Sequence, residues 1–407
     1  MNLQTFGNIS SAYKHQPNDN SGLWTENYMA SQSFRYASTN NTHAYTQALQ
    51  ALSTIETLVN VTGKVGLPAR TMTDNHSYIQ HLNDHWGWNL SPTISNWWFI
   101  ANTSSDEMTG HIYGLSTFVT HGAPYDIKAK KRGLYLIETM LTRIIHGGLV
   151  VRDITGLPSK WGNWNPRDLN TEESWADERG LNSLQILSYL AVGLRHVVNP
   201  SAHVLYASTA TDLLNATNRF DLNILNQKIT SPTEINYSDN SLAFKPYYML
   251  AESCGYGMFP STPSGMDALS SFCTRLAPWF QLSLERAFKV IEGEKASLYN
   301  LIFLLSADTT VKSKFPNALS ESIETLKEYP LDLVDYPHDN SHRLDLEIDR
   351  SLTPMIVRSS TVLPRHNSAA LRWCDDPFAF VGGSGMREED PTFWLEAYWM
   401  GKFYRLI

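Results

Sequence analysis

The sequence predicts an all-α protein built from pairs of helices. Long segments place apolar residues at helical spacing, polar turns containing Asn, Pro or Gly separate these segments, and few stretches alternate as strands do. With 407 residues and a hydrophobic fraction of 42%, the chain can bury one large core or two of medium size. We therefore expect a large helical fold with polar connections.

The first predicted pair joins a helix from Trp24 to Ser38 to another from Ala44 to Val59, across the turn Asn40-Asn41-Thr42. Similar pairs and two shorter helices follow: Asp106 to Thr120 with Ile127 to His146, Asp177 to His196 with Ala202 to Leu214, Asn240 to Cys254 with Met266 to Ile291, and then Ala296 to Leu305 and Ser320 to Glu328. No strict sequence repeat accompanies them, so the repetition is one of architecture.

The last helix has a clear start signal. Asp390 is a suitable cap and Pro391 occupies the first helical position, where proline is favoured, so we expect a helix from Pro391 to Tyr404. The segment 330–387 reads as a long loop or a small β-containing insertion. We predict that residues 1–329 form helical hairpins and that 388–407 close the same domain.

Composition narrows the choice of partners. The net charge of -8 comes without long basic runs, so we expect no binding to nucleic acid or to an anionic membrane. No apolar run reaches the roughly 18 residues that span a bilayer. No P-loop, dinucleotide fingerprint or Gly-x-Ser-x-Gly elbow is present, and we predict no cofactor.

Two features bear on localisation. The three cysteines (Cys254, Cys273 and Cys374) allow one disulfide at most and form no Cys-x-x-Cys metal site. Asn-x-Ser/Thr sequons recur at Asn8, Asn40, Asn60, Asn75, Asn89, Asn102, Asn215 and Asn236. We expect a secreted protein whose signal peptide is absent from this sequence, with a cytoplasmic location as the alternative.

An aromatic run leads into an acidic helix start near residue 100. Trp98 belongs to this run, and Ser104 precedes Glu107 by three residues, as in a capping box. Asp106 and Glu107 would lie in the first turn, and His111 would share a helix face with Glu107.

The same arrangement recurs later in the chain. Trp161, Trp164 and Trp175 precede the acidic helix start Asp177-Glu178, which Arg179 follows. Flat aromatic side chains suit the C–H faces of sugar rings, and arginine binds carboxylates in bidentate fashion. The pattern indicates a carbohydrate site.

The segments Gly22-Leu23-Trp24-Thr25-Glu26 and Phe34-Arg35-Tyr36-Ala37, followed by a turn and a second amphipathic helix, resemble the start of an alpha/alpha-toroid protein of the six-hairpin glycosidase type. The likeness covers the architecture of most of the chain. Segments around Asp106, Asp239 and Trp399 are similar to those of uncharacterised secreted toroid proteins. The resemblance implies about six inner helices and a carbohydrate-active enzyme.

In such a toroid the first helices of the pairs run parallel, so their N-termini meet at one end. Acidic residues from several helices would gather there: Glu26, Asp106, Glu107, Asp177, Glu178, Asp239 and Asp390. Helix dipoles at that end favour carboxylates, by about 0.3–1 kcal/mol each.

We predict a glycoside hydrolase with Asp106 and Asp177 as its acid/base pair, because most such enzymes use two carboxyl groups. Glu107 and Glu178 are the alternates, and His111 serves the catalytic centre. The expected substrate-binding residues are Trp98, Trp161, Trp164, Trp175, Arg179, Arg70, Asp239 and Asn240.

Other readings remain open at this stage. A polysaccharide lyase would rely on His111 and Arg179, and a non-catalytic toroid would bind glycans or proteins. The acidic starts also fit simple helix caps, and the tryptophans and His111 also fit core positions. His81 and His85 have helical spacing but no zincin-like pattern surrounds them, so we predict no metal site.

Overall fold

The structure is a computed structural model that describes residues 1–14, 20–74, 87–226, 236–340, 342–349, 355–368, 370–380 and 382–407. It is 56% helix and 8% strand, which confirms the predicted helical class. The helices are α1 (Ser21–Thr39), α2 (Thr42–Asn60), α3 (Ser105–Thr117), α4 (Ile127–His146), α5 (Pro166–Thr171), α6 (Arg179–His196), α7 (Pro200–Leu213), α8 (Phe220–Asn223), α9 (Ser238–Cys254), α10 (Asp267–Ile291), α11 (Ser297–Ser306), α12 (Thr309–Lys312), α13 (Ala318–Glu328) and α14 (Thr392–Phe403).

Short antiparallel strands decorate the helices. They are β1 (Asn2–Leu3), β2 (Ala12–Lys14), β3 (Thr71–Thr73), β4 (Trp88–Leu90), β5 (Trp98–Ile100), β6 (Val150–Arg152), β7 (Pro158–Asn163), β8 (Leu346–Asp349) and β9 (Ile356–Ser359). β5 lies between β3 and β4, and the others form two-stranded pairs in sequence order. The pair β8–β9 falls inside the segment 330–387, where a small β element was one of the two expectations.

Helix ends follow local capping chemistry. Asp126 accepts a hydrogen bond from the Ala129 backbone N–H, so α4 begins at the predicted residue. α6 begins at Arg179 rather than Asp177, because residues 173–175 form a separate 3₁₀ turn before it. The Ser104 cap is confirmed, since its Oγ accepts from the Glu107 N–H at 3.4 Å.

Six of the described helices are buried over most of their surface: α1, α3, α6, α9, α11 and α14. Each of them contacts the next one along the chain, and α14 contacts α1. The helices between them, such as α4 and α10, bury one apolar face and expose the other. The core therefore lies among the six buried helices.

α1 and α3 approach each other unusually closely. A Cβ on Gly110 would lie 2.6 Å from the Cα of Leu23, and a Cβ on Gly114 would lie 2.8 Å from the backbone oxygen of Glu26. Contacts advance along both helices in the same direction, so the two run parallel. Only glycine leaves room for this approach.

A buried charged triad spans the same contact. His111 Nδ1 lies 3.1 Å from Glu26 Oε1, and His111 Nε2 lies 3.4 Å from Glu107 Oε2, with all three side chains fully buried. Burial raises the pKa of Glu26 to about 7. Burial would lower the pKa of His111, but the two carboxyl groups raise it to about 9. The imidazolium thus bridges α1 and α3 at neutral pH.

A second polar cluster joins α9 to the π-helical segment Phe118–Gly122 that follows α3 and to the residue after α14. His121 Nε2 lies 2.7 Å from Glu252 Oε1, and the hydroxyls of Tyr248 and Tyr404 lie 2.7 Å apart, each 3.4 Å from His121 Nε2. We call these four residues the Tyr–His–Glu cluster. Burial would raise the pKa of Glu252, but the neighbouring histidines and Arg195 hold it below its ordinary value.

A disulfide joins Cys254 at the end of α9 to Cys273 in α10, with their Cα atoms 5.3 Å apart. Cys374 is a free thiol. None of the described helices is long and apolar enough to span a bilayer.

We expect Gly110→Ala to lower the free energy of unfolding by about 1–3 kcal/mol, because the new methyl group overpacks the α1–α3 contact. Alanine otherwise favours a helix by roughly 0.8–1 kcal/mol, so a loss isolates the steric effect. Urea unfolding measures it, with Thr54→Ala on exposed α2 surface as the control. Unchanged stability in Gly110→Ala would contradict the close approach.

The triad also predicts a pH dependence. Folding raises the pKa of His111 from 6.5 to about 9, so the imidazolium's stabilising contribution is complete below pH 6.5 and is lost as the pH rises through 9. We expect wild-type stability to fall over this window and His111→Gln to remove most of that slope. Denaturant unfolding at several pH values tests this, and equal slopes in both proteins would reject it.

Candidate active site

Asp106 lies at the start of α3, partly exposed, in a network that reaches the start of α1. Asn20 Nδ2 donates to Asp106 Oδ2 at 3.3 Å, and Ser105 Oγ donates to Asp106 Oδ1 at 3.2 Å. Arg70 Nη2 donates to Asn20 Oδ1 at 2.9 Å. Two predicted site residues, Arg70 and Asp106, are therefore brought together by an asparagine that the sequence analysis did not select.

The environment of Asp106 suits a proton donor. Burial raises the pKa of its carboxyl above the ordinary value, and the Arg70 charge and the hydrogen bonds from Ser105 and Asn20 offset this only in part. A general acid needs a raised pKa to hold its proton near neutral pH. The Asp106 carboxyl has this property, and the residue as a whole is partly exposed.

A cavity of about 310 Å³ lies beside the same end of α1. Its wall combines the first turns of α1 and α14 with the preceding acidic segment: Met1, Ser21, Trp24, Thr25, Arg372, Glu388, Glu389, Asp390, Thr392 and Phe393. The rings of Trp24 and Phe393 pack with centroids 5.2 Å apart. Aromatic surface and carboxylates thus share one concave site, as in sites for polar organic ligands.

Charged partners organise this cavity wall. Arg372 pairs with Asp375 at 2.7 Å and lies 4.0 Å from Glu389. Asp390 Oδ1 accepts from the Thr392 N–H at 2.7 Å, which caps α14 and leaves its second oxygen for other partners. We define the candidate active site as the Asp106 network together with this cavity, because Asn20 belongs to one and the adjacent Ser21 to the other.

Glu107 and His111 lie deeper in the protein than Asp106, as members of the buried triad. Glu107 Oε1 accepts from the Leu23 N–H at 3.3 Å instead of returning to the cap, so the expected capping box is only half formed. Neither side chain is exposed. Both side chains hold α3 against α1, and their complete burial argues against direct contact with a substrate.

The second predicted acidic start, Asp177-Glu178, directly precedes α6. Asp177 and Glu178 are partly exposed, and neither is among the hydrogen-bond partners of Asp106. Arg179 Nε donates to the Leu169 carbonyl at 2.6 Å, so this guanidinium anchors the preceding loop. The pairing of Asp106 with Asp177 stays a prediction.

The four predicted tryptophans occupy different environments. Trp164 is fully buried and donates to Gln185 Oε1 at 3.0 Å, so it packs the core and does not line a cleft. Trp161 is 48% exposed, with Lys160 Nζ 4.2 Å from its ring centre. Trp175 and Trp98 are half-buried. Of the four, Trp161 offers the most open ring.

Asp239 and Asn240 lie at the start of α9. Asp239 is buried, and Asn240 Nδ2 donates to the Glu294 carboxyl at 3.3 Å. Burial raises the pKa of Glu294 to about 8, with Arg365 opposing the rise. Glu294 lies in a turn without any motif, so the sequence did not indicate it.

Charged groups also occupy the centre of the helical core. Lys245 Nζ donates to Ser241 Oγ at 2.6 Å, and Lys245 and Glu396 are both buried. Burial lowers the pKa of Lys245 and raises that of Glu396, while their mutual attraction opposes both shifts. Helical periodicity places residues on a face but does not reveal such pairs, so these were also missed.

No group of three His, Cys, Asp or Glu side chains within the described ranges is arranged to hold a metal ion. His81 and His85 lie outside those ranges.

Comparisons with known proteins do not identify a family for this chain. A scan of protein-family models, a search of curated proteins and a search of solved structures each find no significant match to this chain.

Proposed function

We propose that the protein is a carbohydrate-active enzyme, a glycoside hydrolase that works at the N-terminal end of a ring of helices with Asp106 as its general acid. The observation that carries the proposal is the position of Asp106: a carboxyl of raised pKa on a partly exposed residue, bonded to Asn20, whose neighbour Ser21 lines a cavity together with Trp24, Phe393 and further carboxyl groups.

The ring itself is part of the proposal. The contacts of the six buried helices pass from α1 through α3, α6, α9 and α11 to α14 and return to α1. The first five of these helices each contact a helix of the segment that follows in sequence, as in α1 with α2 and α11 with α13. This order supports an (α/α) toroid with six inner helices.

The chemistry assigns a role to each group. In hydrolysis, Asp106 would give its proton to the glycosidic oxygen as that bond breaks, and an ionised carboxylate would accept a proton from the attacking water. Glu389 and Asp390 in the cavity wall are candidates for the base, and Asp177 is the candidate from the sequence. The Trp24 ring offers a flat surface for a sugar face.

A lyase has less support at this site. It requires a base that reaches the sugar, and His111 is enclosed between Glu26 and Glu107. A toroid that binds glycans without turning them over keeps the same cavity, and the experiment below separates it from the enzyme.

The localisation we propose is extracellular. The Cys254–Cys273 disulfide favours an oxidising compartment. The sequons add little to this, because several of their asparagines shape the backbone: Asn8 caps a 3₁₀ turn and Asn215 accepts from two N–H groups of its turn.

We expect Asp106→Asn to lower kcat/KM by about 10²- to 10⁴-fold, the range attributed to general acid catalysis. Purified protein is screened on plant, algal and animal polysaccharides, with reducing ends recorded for hydrolysis and absorbance at 235 nm for elimination. Asp267→Asn is the matched control, since Asp267 also lies in the first turn of a helix but is exposed in α10. Near-normal turnover in Asp106→Asn would reject the assignment.

The base is identified by comparing Glu389→Gln, Asp390→Asn and Asp177→Asn in the same assay. Asparagine at 390 keeps an oxygen that can cap α14, so this variant should fold. If one variant loses activity as Asp106→Asn does, its carboxylate is the partner. Retained glycan binding without turnover in the wild type would instead support the binding toroid.

The acid role also predicts a pH profile. Because Asp106 must be protonated to act and burial raises its pKa, activity should persist above the ordinary range of an aspartic acid and then fall as the pH rises. The kcat/KM profile of the wild type tests this. An activity that increases steadily toward alkaline pH would contradict it.

A further inference from the structure

A second cavity, of about 440 Å³, lies at the C-terminal end of α4. Two guanidinium groups and an imidazole share its wall: Arg143 and His146 from the last turn of α4, and Arg152 from β6. We propose that this cavity binds a tetrahedral oxyanion, a sulfate or phosphate group, through Arg143 and Arg152.

Neutral acceptors hold the two guanidinium groups in place. Arg143 Nη2 donates to the Arg152 carbonyl at 3.0 Å, and Arg152 Nε donates to the Gly147 carbonyl at 2.9 Å. Arg152 Nη1 donates to the Gly156 carbonyl at 3.1 Å. Backbone carbonyls orient the groups without neutralising them, and each guanidinium keeps further N–H donors.

Carboxylates balance these charges only in part: Asp153 is near enough to raise the pKa of Arg143 through its charge, although burial lowers that pKa more strongly. In the described part of the chain, neither Arg143 nor Arg152 forms an ion pair with Asp or Glu. Glu138 also lines the cavity, but its Oε1 accepts from Asn199 Nδ2 at 2.6 Å. Arg143 Nε is buried and has no hydrogen-bond partner. A half-buried cation with an unused donor is costly unless an anion joins it.

Helix electrostatics explain only part of this arrangement. Cations at the C-terminal end of a helix are stabilised by its dipole, which accounts for Arg143 and His146. Arg152 lies on the following strand, and its Nε donates to the carbonyl of Gly147, the C-terminal cap of α4, so the helix end accounts for one of its donors beside the same cavity. The convergence of groups from two elements on one concavity is what indicates a ligand.

The planar shape of the two guanidinium groups and the volume of the cavity indicate the class of ligand. Planar guanidinium groups match sulfate and phosphate oxygens in bidentate fashion. The chain as a whole carries a net charge of -8, so general attraction for anions is absent and binding must come from this local pair. The volume admits either a free oxyanion or one esterified to a sugar.

The strand pair β6–β7 connects the wall of this cavity to the segment before Asp106. The proposed anion site does not depend on the proposed hydrolase activity. Ser159 in β7 donates to Oδ1 of Asn102, three residues before the start of α3, at 3.0 Å, and β7 pairs with the strand that carries Arg152. A sulfated or phosphorylated glycan is therefore one source of the anion, and inorganic oxyanion is the other.

Titration calorimetry at low ionic strength tests the site with sodium sulfate and sodium phosphate as probes and sodium chloride as the blank. We expect saturable binding of sulfate or phosphate to the wild type. Arg143→Gln/Arg152→Gln should weaken it by at least about tenfold, the loss of roughly one charge-assisted hydrogen bond. Lys131→Gln removes one charge from exposed surface of α4 and should leave binding unchanged.

Absence of saturable binding, or equal binding by the double variant, would overturn the site. If the double variant unfolds at assay temperature, Arg152→Gln alone is used in its place, since Arg152 is exposed. A sulfated monosaccharide and its neutral parent distinguish the sources: tighter binding of the sulfated sugar than of inorganic sulfate indicates a glycan ligand, and equal binding indicates the free oxyanion.

Discussion

The parallel contact between α1 and α3 is the constraint on which the candidate active site depends. Gly110 and Gly114 let the helix backbones approach, and the buried triad of Glu26, His111 and Glu107 bridges them with charge. Removing one member of such a buried network leaves an uncompensated charge, which is strongly destabilising. The start of α3, and with it Asp106, therefore has little freedom to move relative to Asn20.

This rigidity gives the two carboxyl groups of α3 different roles although they are adjacent. Glu107 points into the helix contact and supports the structure, whereas Asp106 points toward Asn20 and the surface. Ser21, the residue after Asn20, lines the cavity beside Trp24. Preorganised groups of this kind contribute to catalysis because they need not reorganise during the reaction.

Much of the fold was accessible from the sequence, because helix formation follows periodicity and capping. The bounds of α4 were predicted to the residue, and the Asp390 cap and the Ser104 cap are both present. The site was less accessible. Its partners come together through tertiary packing, so nothing in the local sequence links Asn20 to Asp106 or Lys245 to Glu396.

The sequence pattern also did not predict which tryptophan side chains are buried. Trp164 and Trp161 are separated by two residues in a similar aromatic context, yet one is fully buried and the other half-exposed. A similar local sequence therefore does not reveal whether a tryptophan is buried or exposed. Trp161 lies within β7, whereas Trp164 follows the last residue of that strand and donates to Gln185 of α6, so tertiary packing decides which ring is buried.

The Tyr–His–Glu cluster has a consequence for how the molecule comes apart. Its hydrogen bonds join the segment Phe118–Gly122 after α3 to α9 and to the residue after α14, three regions far apart in the chain. Fraying of any one of these helix ends breaks bonds made by the other two. Amide protons in all three should then exchange with solvent through one shared opening, as members of a single cooperative unit.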